Sequence, residues 1–232
     1  MRRLCDVSDS ELDRIRAEYE ARDAAADSPY RWDNPGYVTY MQGLERALLR
    51  AFAAAGVELA GLSVLDVGCG SGYFLHRLHE YGAGSCHGID LSEGRIRDAR
   101  ERYPSLSWRA GSATDLPFAD GELDLVSQFT CLSSIVDDEV RLAAAREMKR
   151  VSGAWVLSVD TRPAGSSRAG TPTVAMDETE LKRLFGEPAL LRRAPVNFGL
   201  AQMARGHDLV ARGLAALWPL RSHYIGLWRS QR

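Results

Sequence analysis

The stretch VLDVGCGSGYF, residues 64–74, decides the fold of this chain. Its first four residues form a short apolar run typical of a buried strand, and glycines follow directly. Gly68, Gly70 and Gly72 allow the backbone to turn sharply into a helix and to approach a ligand closely. This stretch therefore predicts a strand, a tight turn and a helix that together form one side of a binding site.

Strands and helices alternate on both sides of this stretch. Strands are predicted at 63–67, 86–91, 107–110, 123–129, 154–160, 190–196 and 223–229, and helices at 44–55, 73–82, 93–102, 137–151, 177–185 and 199–217. This order predicts an α/β fold with a doubly wound, mostly parallel sheet and helices on both faces. We expect a single domain over 1–232, with a cap or lid at 1–43, a cofactor-binding core at 44–196, and an interposed helix and last strand at 197–232.

Composition excludes several classes of protein. With 45% hydrophobic and 26% charged residues, the chain fits neither a disordered protein nor a membrane protein, and no run of about 18 apolar residues occurs. A net charge of -2 with dispersed arginines argues against nucleic acid as a partner. The four cysteines show no CxxC pair, and we find no signal peptide. We therefore expect a cytoplasmic protein with a small-molecule substrate, without membrane attachment and of undetermined oligomeric state.

Asp90 is the second candidate for ligand binding. It lies twenty residues beyond Gly70 at the end of a predicted strand, where a carboxylate can accept both hydroxyls of a ribose. The alternative is a simple helix cap before Ser92. A dinucleotide fingerprint would need glycine at position 73, where Tyr73 stands. This difference disfavours an NAD(P)-dependent reductase, which is kept as one alternative. A cofactor-binding domain without catalysis is the other alternative.

Four segments in this order, VLDVGCGSG, GIDLS, GSATDLPFADGELDLV and EVRLAAAREMKRV, resemble successive motifs of the class I S-adenosylmethionine-dependent methyltransferases. The resemblance covers about residues 60–160. It implies a Rossmann-like, seven-stranded sheet whose last strand is antiparallel, with S-adenosylmethionine across the carboxyl ends of the strands. It also implies methyl transfer to a small molecule by in-line displacement, with S-adenosylhomocysteine as product.

The resemblance carries cofactor roles onto individual positions. It places Asp66, Gly68 and Gly70 around the methionine part, with Cys69 in the same loop, Asp90 at the ribose, Leu91 on an adenine face, Ser112 and Ala113 at the adenine edge, and Gln128 near the methionine amino group. The family often has Asp where Ser112 stands, so the adenine contact there differs in this chain. No metal site is expected, because His76 and His79 have no third ligand nearby.

The flanks resemble a narrower bacterial subgroup of possible tailoring enzymes for glycans or secondary metabolites. The matching residues are Asn34 with Pro35, Asp160 with Arg162, and His223 with Tyr224. The acceptor is accordingly predicted to be a hydroxyl of a sugar or secondary metabolite. We expect His223 and Asp160 to be catalytic, as general bases, and Tyr30, Trp32, Arg162 and Tyr224 to bind the substrate. The aromatic segment 30–40 is predicted to fold over the cofactor and acceptor.

Overall fold

The computed structural model describes residues 4–24, 30, 32–161, 172–204, 207, 209–210, 213–214 and 222–230, with the side chains of the first helix described over 10–21. The helices are α1 Leu4–Ala24, α2 Pro35–Ala55, α3 Tyr73–Glu80, α4 Glu93–Arg102, α5 Asp138–Val151, α6 Glu178–Phe185 and α7 Phe198–Met203. The strands are β1 Val64–Val67, β2 Cys86–Asp90, β3 Ser107–Ala110, β4 Leu123–Phe129, β5 Ser152–Thr161, β6 Leu190–Ala194 and β7 His223–Arg229. A 3-10 helix, Leu132–Ser134, follows β4.

The strands form one sheet in the order β3-β2-β1-β4-β5-β7-β6. Strands β1 to β5 pair in parallel, whereas β7 runs antiparallel to both β5 and β6. The predicted fold class is therefore confirmed, including the antiparallel last strand. Because the strand order reverses direction between β1 and β4, the carboxyl ends of these strands form the crevice in which α/β sheets bind ligands.

Each face of the sheet packs against its own group of helices. Helices α2, α3 and α4 cover one face with residues such as Leu48, Leu75 and Ile96, which are almost fully buried. Helices α5 and α6, with Ile15 of α1, cover the other face. Strand β1, in the middle of the sheet, is buried at all four residues, as its apolar run requires, whereas β3 at the edge is mostly exposed.

Helix α2 begins at Pro35, well before the predicted start at Leu44, so that prediction was wrong. The side chain of Asn34 accepts hydrogen bonds from the amides of Gly36 and Tyr37 at 3.0 and 3.4 Å. An asparagine cap followed by proline is a strong helix start, and it outweighs the glycine inside the first turn. The helix ends at Gly56, whose φ of 67° matches the predicted stop.

The ends of the chain differ most from the prediction. Residues 4–24 form α1, a helix inside the segment 1–43 that was predicted to be a cap or lid. The helix predicted at 199–217 is described as α7 only to Met203, and most of its remainder lies outside the described residues. In the described part of the chain, no helix combines the length and apolar character that crossing a membrane requires.

Candidate functional site

A cavity opens at the carboxyl edge of the sheet, beside the reversal in strand order. Its walls come from the residues after β1, β2, β3 and β4, represented by Gly68, Leu91, Ala113 and Phe129. Its roof is α1, which contributes Leu12, Ile15, Arg16 and Tyr19. The cavity therefore combines motif residues with a helix that is far away in sequence.

The loop after β1 is closely packed against its neighbours. Gly68 has φ of 69°, and a Cβ atom there would lie 2.5 Å from the sulfur of Cys131. The amides of Gly68 and Cys69 both donate to the carbonyl of Ile89, at 2.7 and 3.0 Å. Both the backbone conformation and the close contact therefore require glycine at position 68.

Asp90 braces this loop and faces the cavity. One carboxylate oxygen accepts the amide of Gly70 at 2.8 Å, and the other accepts the amide of Ser92 at 2.9 Å. Ser92, rather than Asp90, caps α4, because its hydroxyl accepts the amide of Arg95. An ionised carboxylate has about four acceptor positions, so Asp90 keeps acceptor capacity for ligand hydroxyls.

The other cofactor candidates differ in whether they line the cavity. Leu91 and Ala113 lie on the cavity wall with Gly68 and Asp90 and offer an apolar surface. Ser112 instead bonds to the hydroxyl of Thr114 at 2.8 Å. The remaining candidates, Asp66, Cys69, Gly70 and Gln128, are not among the described residues that line the cavity. Their contact with a cofactor stays a prediction.

Asp66 and Cys69 are both buried. Asp66 accepts a hydrogen bond from the hydroxyl of Ser127 at 3.0 Å, and burial raises the pKa of its carboxyl to about 8. Burial also raises the pKa of the Cys69 thiol well above its ordinary value. The Asp66 carboxyl is therefore mostly protonated at neutral pH. The Cys69 thiol is protonated as well, so Cys69 supplies no thiolate nucleophile.

Gln128 is completely buried and organises the turn after β4. Its side-chain oxygen accepts the amides of Cys131 and Leu132 at 2.8 and 3.3 Å. Its side-chain nitrogen donates to Ser158 at 2.6 Å and to Asp160 at 3.1 Å. The structure thus shows Gln128 supporting the cavity wall.

Sequence reasoning missed the roof of the cavity. Leu12, Ile15 and Tyr19 recur at helical spacing on α1 and line the cavity together. Glu11 fixes the helix by accepting the amides of Val136 and Asp137, at 2.6 and 3.2 Å. The helical spacing of these three residues is a weak local signal within a mostly polar helix. The docking of the helix depends on residues more than a hundred positions away.

Aromatic rings flank the cavity on the side of α2 and α3. Phe129, on the cavity wall, stacks on Phe74 with ring centroids 3.9 Å apart and an interplanar angle of 7°. Trp32 lies 4.6 Å from Tyr73, and Tyr30 stacks 5.1 Å from Phe198 of α7. Trp32 and Tyr30 remain 40% and 36% exposed, so their rings can still meet a ligand.

His223 lies on the same side as these rings, at the start of β7. It is buried, and its two ring nitrogens lie 2.8 Å from the hydroxyls of Tyr40 and Ser222. Burial lowers the pKa of its imidazole to about 4. The ring is consequently neutral at physiological pH and weakly basic.

The other acceptor-side candidates do not gather around His223. Thr161 of β5 pairs with His223, so the side chains of these two residues lie on the same face of the sheet. Asp160 precedes Thr161 in β5, and its side chain therefore points to the face opposite His223. Asp160 is fully buried, and burial raises the pKa of its carboxyl to about 6. The hydroxyl of Tyr224 accepts a hydrogen bond from Arg193 at 3.0 Å, whereas Arg162 lies outside the described residues.

Comparisons with known proteins find similar chains. The family described as a methyltransferase domain matches residues 64–153. A probable S-adenosylmethionine-dependent methyltransferase of Mycolicibacterium smegmatis is 29% identical over 122 residues, which cover 53% of this chain and 47% of that protein. A ubiquinone biosynthesis O-methyltransferase of Thiobacillus denitrificans is 37% identical over 104 residues, or 43% of this chain and 44% of the relative. The chain thus spans about half the length of these relatives.

A solved structure extends the similarity to nearly the whole chain. The magnesium protoporphyrin IX methyltransferase of Synechocystis, with S-adenosylmethionine bound, has a TM-score of 0.64 and covers 95% of this chain and 97% of that chain. Sequence identity is 14%, so this likeness concerns the fold alone. The fold similarity includes the flanks that the shorter sequence matches leave out.

Proposed function

We propose that this chain, which belongs to the class I S-adenosylmethionine-dependent methyltransferase superfamily, transfers a methyl group to a hydroxyl of a small molecule. The observation that carries the proposal is Asp90, a carboxylate on the cavity wall that also holds the amide of Gly70. This arrangement couples the glycine loop to a ribose-binding group. The family match over 64–153 supports the methyltransferase over the reductase alternative.

The cavity residues fit the cofactor by their chemistry. Asp90 would accept the ribose hydroxyls, and Leu91 and Ala113 would pack against the adenine. When bound, S-adenosylmethionine supplies the methyl group of its sulfonium, which a nucleophile attacks in line as S-adenosylhomocysteine leaves. The chain mainly has to hold the acceptor about 3 to 3.5 Å from that methyl group, in the correct direction.

The rings beside Phe129 would hold the acceptor. Trp32, Tyr30 and Tyr73 offer flat apolar surfaces that stack on an aromatic secondary metabolite or on a sugar face. The relative from Thiobacillus denitrificans is named an O-methyltransferase, which supports a hydroxyl as the acceptor group. In this proposal α1 and the aromatic segment share the exclusion of water from the site.

His223 would act on the acceptor through Tyr40, and the proton that the acceptor hydroxyl loses on methylation would be released to solvent water. The hydroxyl of Tyr40 lies 2.8 Å from Nε2 of His223, and Tyr40 belongs to the aromatic group. Because the pKa of His223 is about 4, its imidazole is a weak base, and its main effect is to orient the Tyr40 hydroxyl toward the acceptor. Catalysis would then depend more on positioning than on proton transfer. The predicted role of Asp160 as a base is replaced in this proposal by a positioning role.

We place the protein in the cytoplasm. Cys69, Cys86 and Cys131 are free thiols, and two of them are buried, which suits a reducing compartment.

The test is incubation with methyl-labelled S-adenosylmethionine and a panel of phenols, sugars, carboxylic acids and amines. We expect label in phenols or sugars, as an O-methyl product identified by mass spectrometry. The Tyr40→Phe variant, which keeps the ring and loses the hydroxyl, should label the same product more slowly. Label only in amines or acids would contradict the acceptor assignment, and no label with any class would contradict catalysis itself.

A further inference from the structure

The turn after β4 contains an unusual backbone conformation. Thr130 has φ of 57° and is the non-glycine residue with positive φ in the described part of the chain. A β-branched residue in this left-handed region is strained, so neighbouring contacts must hold it there. Thr130 and the next residue, Cys131, both line the cavity. The strain is therefore located on the wall of the proposed cofactor site.

Side chains from two strand ends hold this turn. The amides of Cys131 and Leu132 donate to the Gln128 side-chain oxygen, and the amide of Ser133 donates to Asp160 at 3.2 Å. Because Gln128 also donates to Asp160 at 3.1 Å, one carboxylate fixes all three amides, either directly or through Gln128. The amide of Thr161 donates to its other oxygen at 2.8 Å. The amides and the Gln128 nitrogen can only donate, so their hydrogen bonds are strongest to an ionised carboxylate, which also interacts with the hydroxyl of Ser133.

The same turn receives the roof of the cavity. Arg14 donates to the carbonyl of Ser134 at 2.9 Å, and the hydroxyl of Tyr19 lies 2.6 Å from the hydroxyl of Ser134. Both serine hydroxyls of the 3-10 helix in turn donate to the carbonyl of Thr130, at 3.3 and 3.2 Å. A change in the turn would therefore move both a wall and the roof of the cavity.

We propose that Asp160 is a positioning residue whose carboxylate holds the strained turn 130–134 in the shape that α1 and the bound cofactor both require. The identity of the ligand rests on the proposed function, whereas the effect on the turn does not. Asp160 lies on the face opposite His223, and its three donors occupy both of its oxygens. It therefore acts on the cavity through the turn.

The protonation of Asp160 adds a pH dependence. Burial raises the pKa of its carboxyl to about 6, and a protonated carboxyl would present a donor to surrounding donors. The titratable groups that interact with it are the phenol of Tyr40 and the thiol of Cys131, and burial raises the pKa of each above its ordinary value. Both stay neutral between pH 5 and 7.5. Asp66, whose carboxyl has a pKa of about 8, also interacts with Cys131 and begins to ionise at the upper end of this range. The Asp160→Asn variant therefore separates the contribution of Asp160 to a pH-dependent change in the turn.

The experiment compares wild type, Asp160→Asn, Thr130→Gly and the double variant. In Asp160→Asn, an NH₂ group replaces one of the two acceptor oxygens and cannot accept from the N–H donors around it. Part of the turn therefore loses its hydrogen bonds. We expect its affinity for S-adenosylhomocysteine, measured by calorimetry at pH 7.5, to fall about tenfold or more, while its unfolding temperature does not fall. Adding Thr130→Gly should recover at least a third of that affinity loss on a logarithmic scale, because glycine adopts the conformation without strain. Wild-type affinity should weaken between pH 7.5 and 5, and that of Asp160→Asn should change less.

Hydrogen exchange of the unliganded proteins gives a readout that needs no ligand. At pH 7.5 the amides of 131–133 and the backbone of α1 should exchange faster in Asp160→Asn than in wild type, with α3 unchanged as the internal reference. Equal exchange would overturn the inference whatever the ligand is. Accelerated exchange together with no binding of S-adenosylhomocysteine by wild type would support the inference and contradict the proposed function instead. Affinity within twofold of wild type, or no recovery in the double variant, would also overturn it.

Discussion

The two halves of the carboxyl edge of the sheet differ in composition, because one presents mainly backbone and the other mainly side chains. Around β1 and β2 the wall is largely backbone, with glycines packed to within a few ångströms of neighbouring side chains and one carboxylate, Asp90, bonded to two amides. Beside β7 the edge carries side chains, chiefly aromatic rings of α2 and α7 that contact one another and His223. A backbone wall tolerates little change and suits a constant ligand. In a wall of side chains, amino-acid substitutions can change which ligand is bound, which suits a site for the acceptor.

The largest effect should come from Gly68→Ala in the backbone half. The new Cβ would lie 2.5 Å from the sulfur of Cys131, at a backbone φ that costs about 1 to 2 kcal/mol for any side chain. We expect affinity for S-adenosylhomocysteine, measured by calorimetry, to fall at least 100-fold.

Gly56→Ala is the matched control for this variant. Gly56 has nearly the same φ, 67°, and no atom lies within 4 Å of the place that a Cβ atom would take there. It should lose some stability and keep cofactor affinity. Equal loss of affinity in the two variants would show that strain alone, and not the packing of the loop, matters.

Asp90→Asn should have the next largest effect. The amide keeps the size of the side chain but loses one charged acceptor, which corresponds to about 1 to 3 kcal/mol of binding free energy, or about 5- to 150-fold in affinity. The measurement is again titration with S-adenosylhomocysteine, at a pH where the variant is shown to be folded by circular dichroism. Unchanged affinity would separate the glycine loop from the ribose site.

Tyr40→Phe should affect the half built from side chains. Once an acceptor is known, we expect turnover to fall about tenfold or more, because the hydroxyl held by His223 is lost, with cofactor affinity unchanged. Turnover within threefold of wild type would show that this half contributes to turnover through its aromatic rings and not through the Tyr40 hydroxyl.

The smallest effect concerns stability and pH. Because the pKa of Asp160 is raised from 3.8 to about 6, its contribution to the stability of the fold is complete below about pH 4 and is lost as pH rises through 6. Between pH 5 and 7.5, wild type should lose about 1 kcal/mol relative to Asp160→Asn, or a few degrees in unfolding temperature. A constant difference between the two unfolding curves would contradict a raised pKa.

Local signals explain most of what the sequence could predict. Helix α4 was predicted near 93–102, the range that it has in the structure, because Pro104 follows its end. Strand β7 was also predicted over its exact range from its apolar residues. The glycine loop and Asp90 meet at the cavity because consecutive elements of a parallel sheet place them there.

Contacts between distant segments explain what the sequence could not predict. The docking of α1 depends on Glu11 meeting the amides of Val136 and Asp137, which no local pattern indicates. The cofactor contact assigned to Gln128 by its position stays a prediction, and the structure adds its hydrogen bonds to Cys131 and Asp160. Its role depends on the backbone of Thr130, whose strained conformation cannot be inferred from the residue type.

Binding of the cofactor of methyl transfer in the cavity under α1 can be measured by calorimetric titration of the wild-type protein with S-adenosylhomocysteine, with NADH as the comparison ligand. We predict one site per chain for S-adenosylhomocysteine, none for NADH, and loss of the S-adenosylhomocysteine signal in Gly68→Ala. Binding of NADH in place of S-adenosylhomocysteine, or binding that survives Gly68→Ala unchanged, would contradict the account.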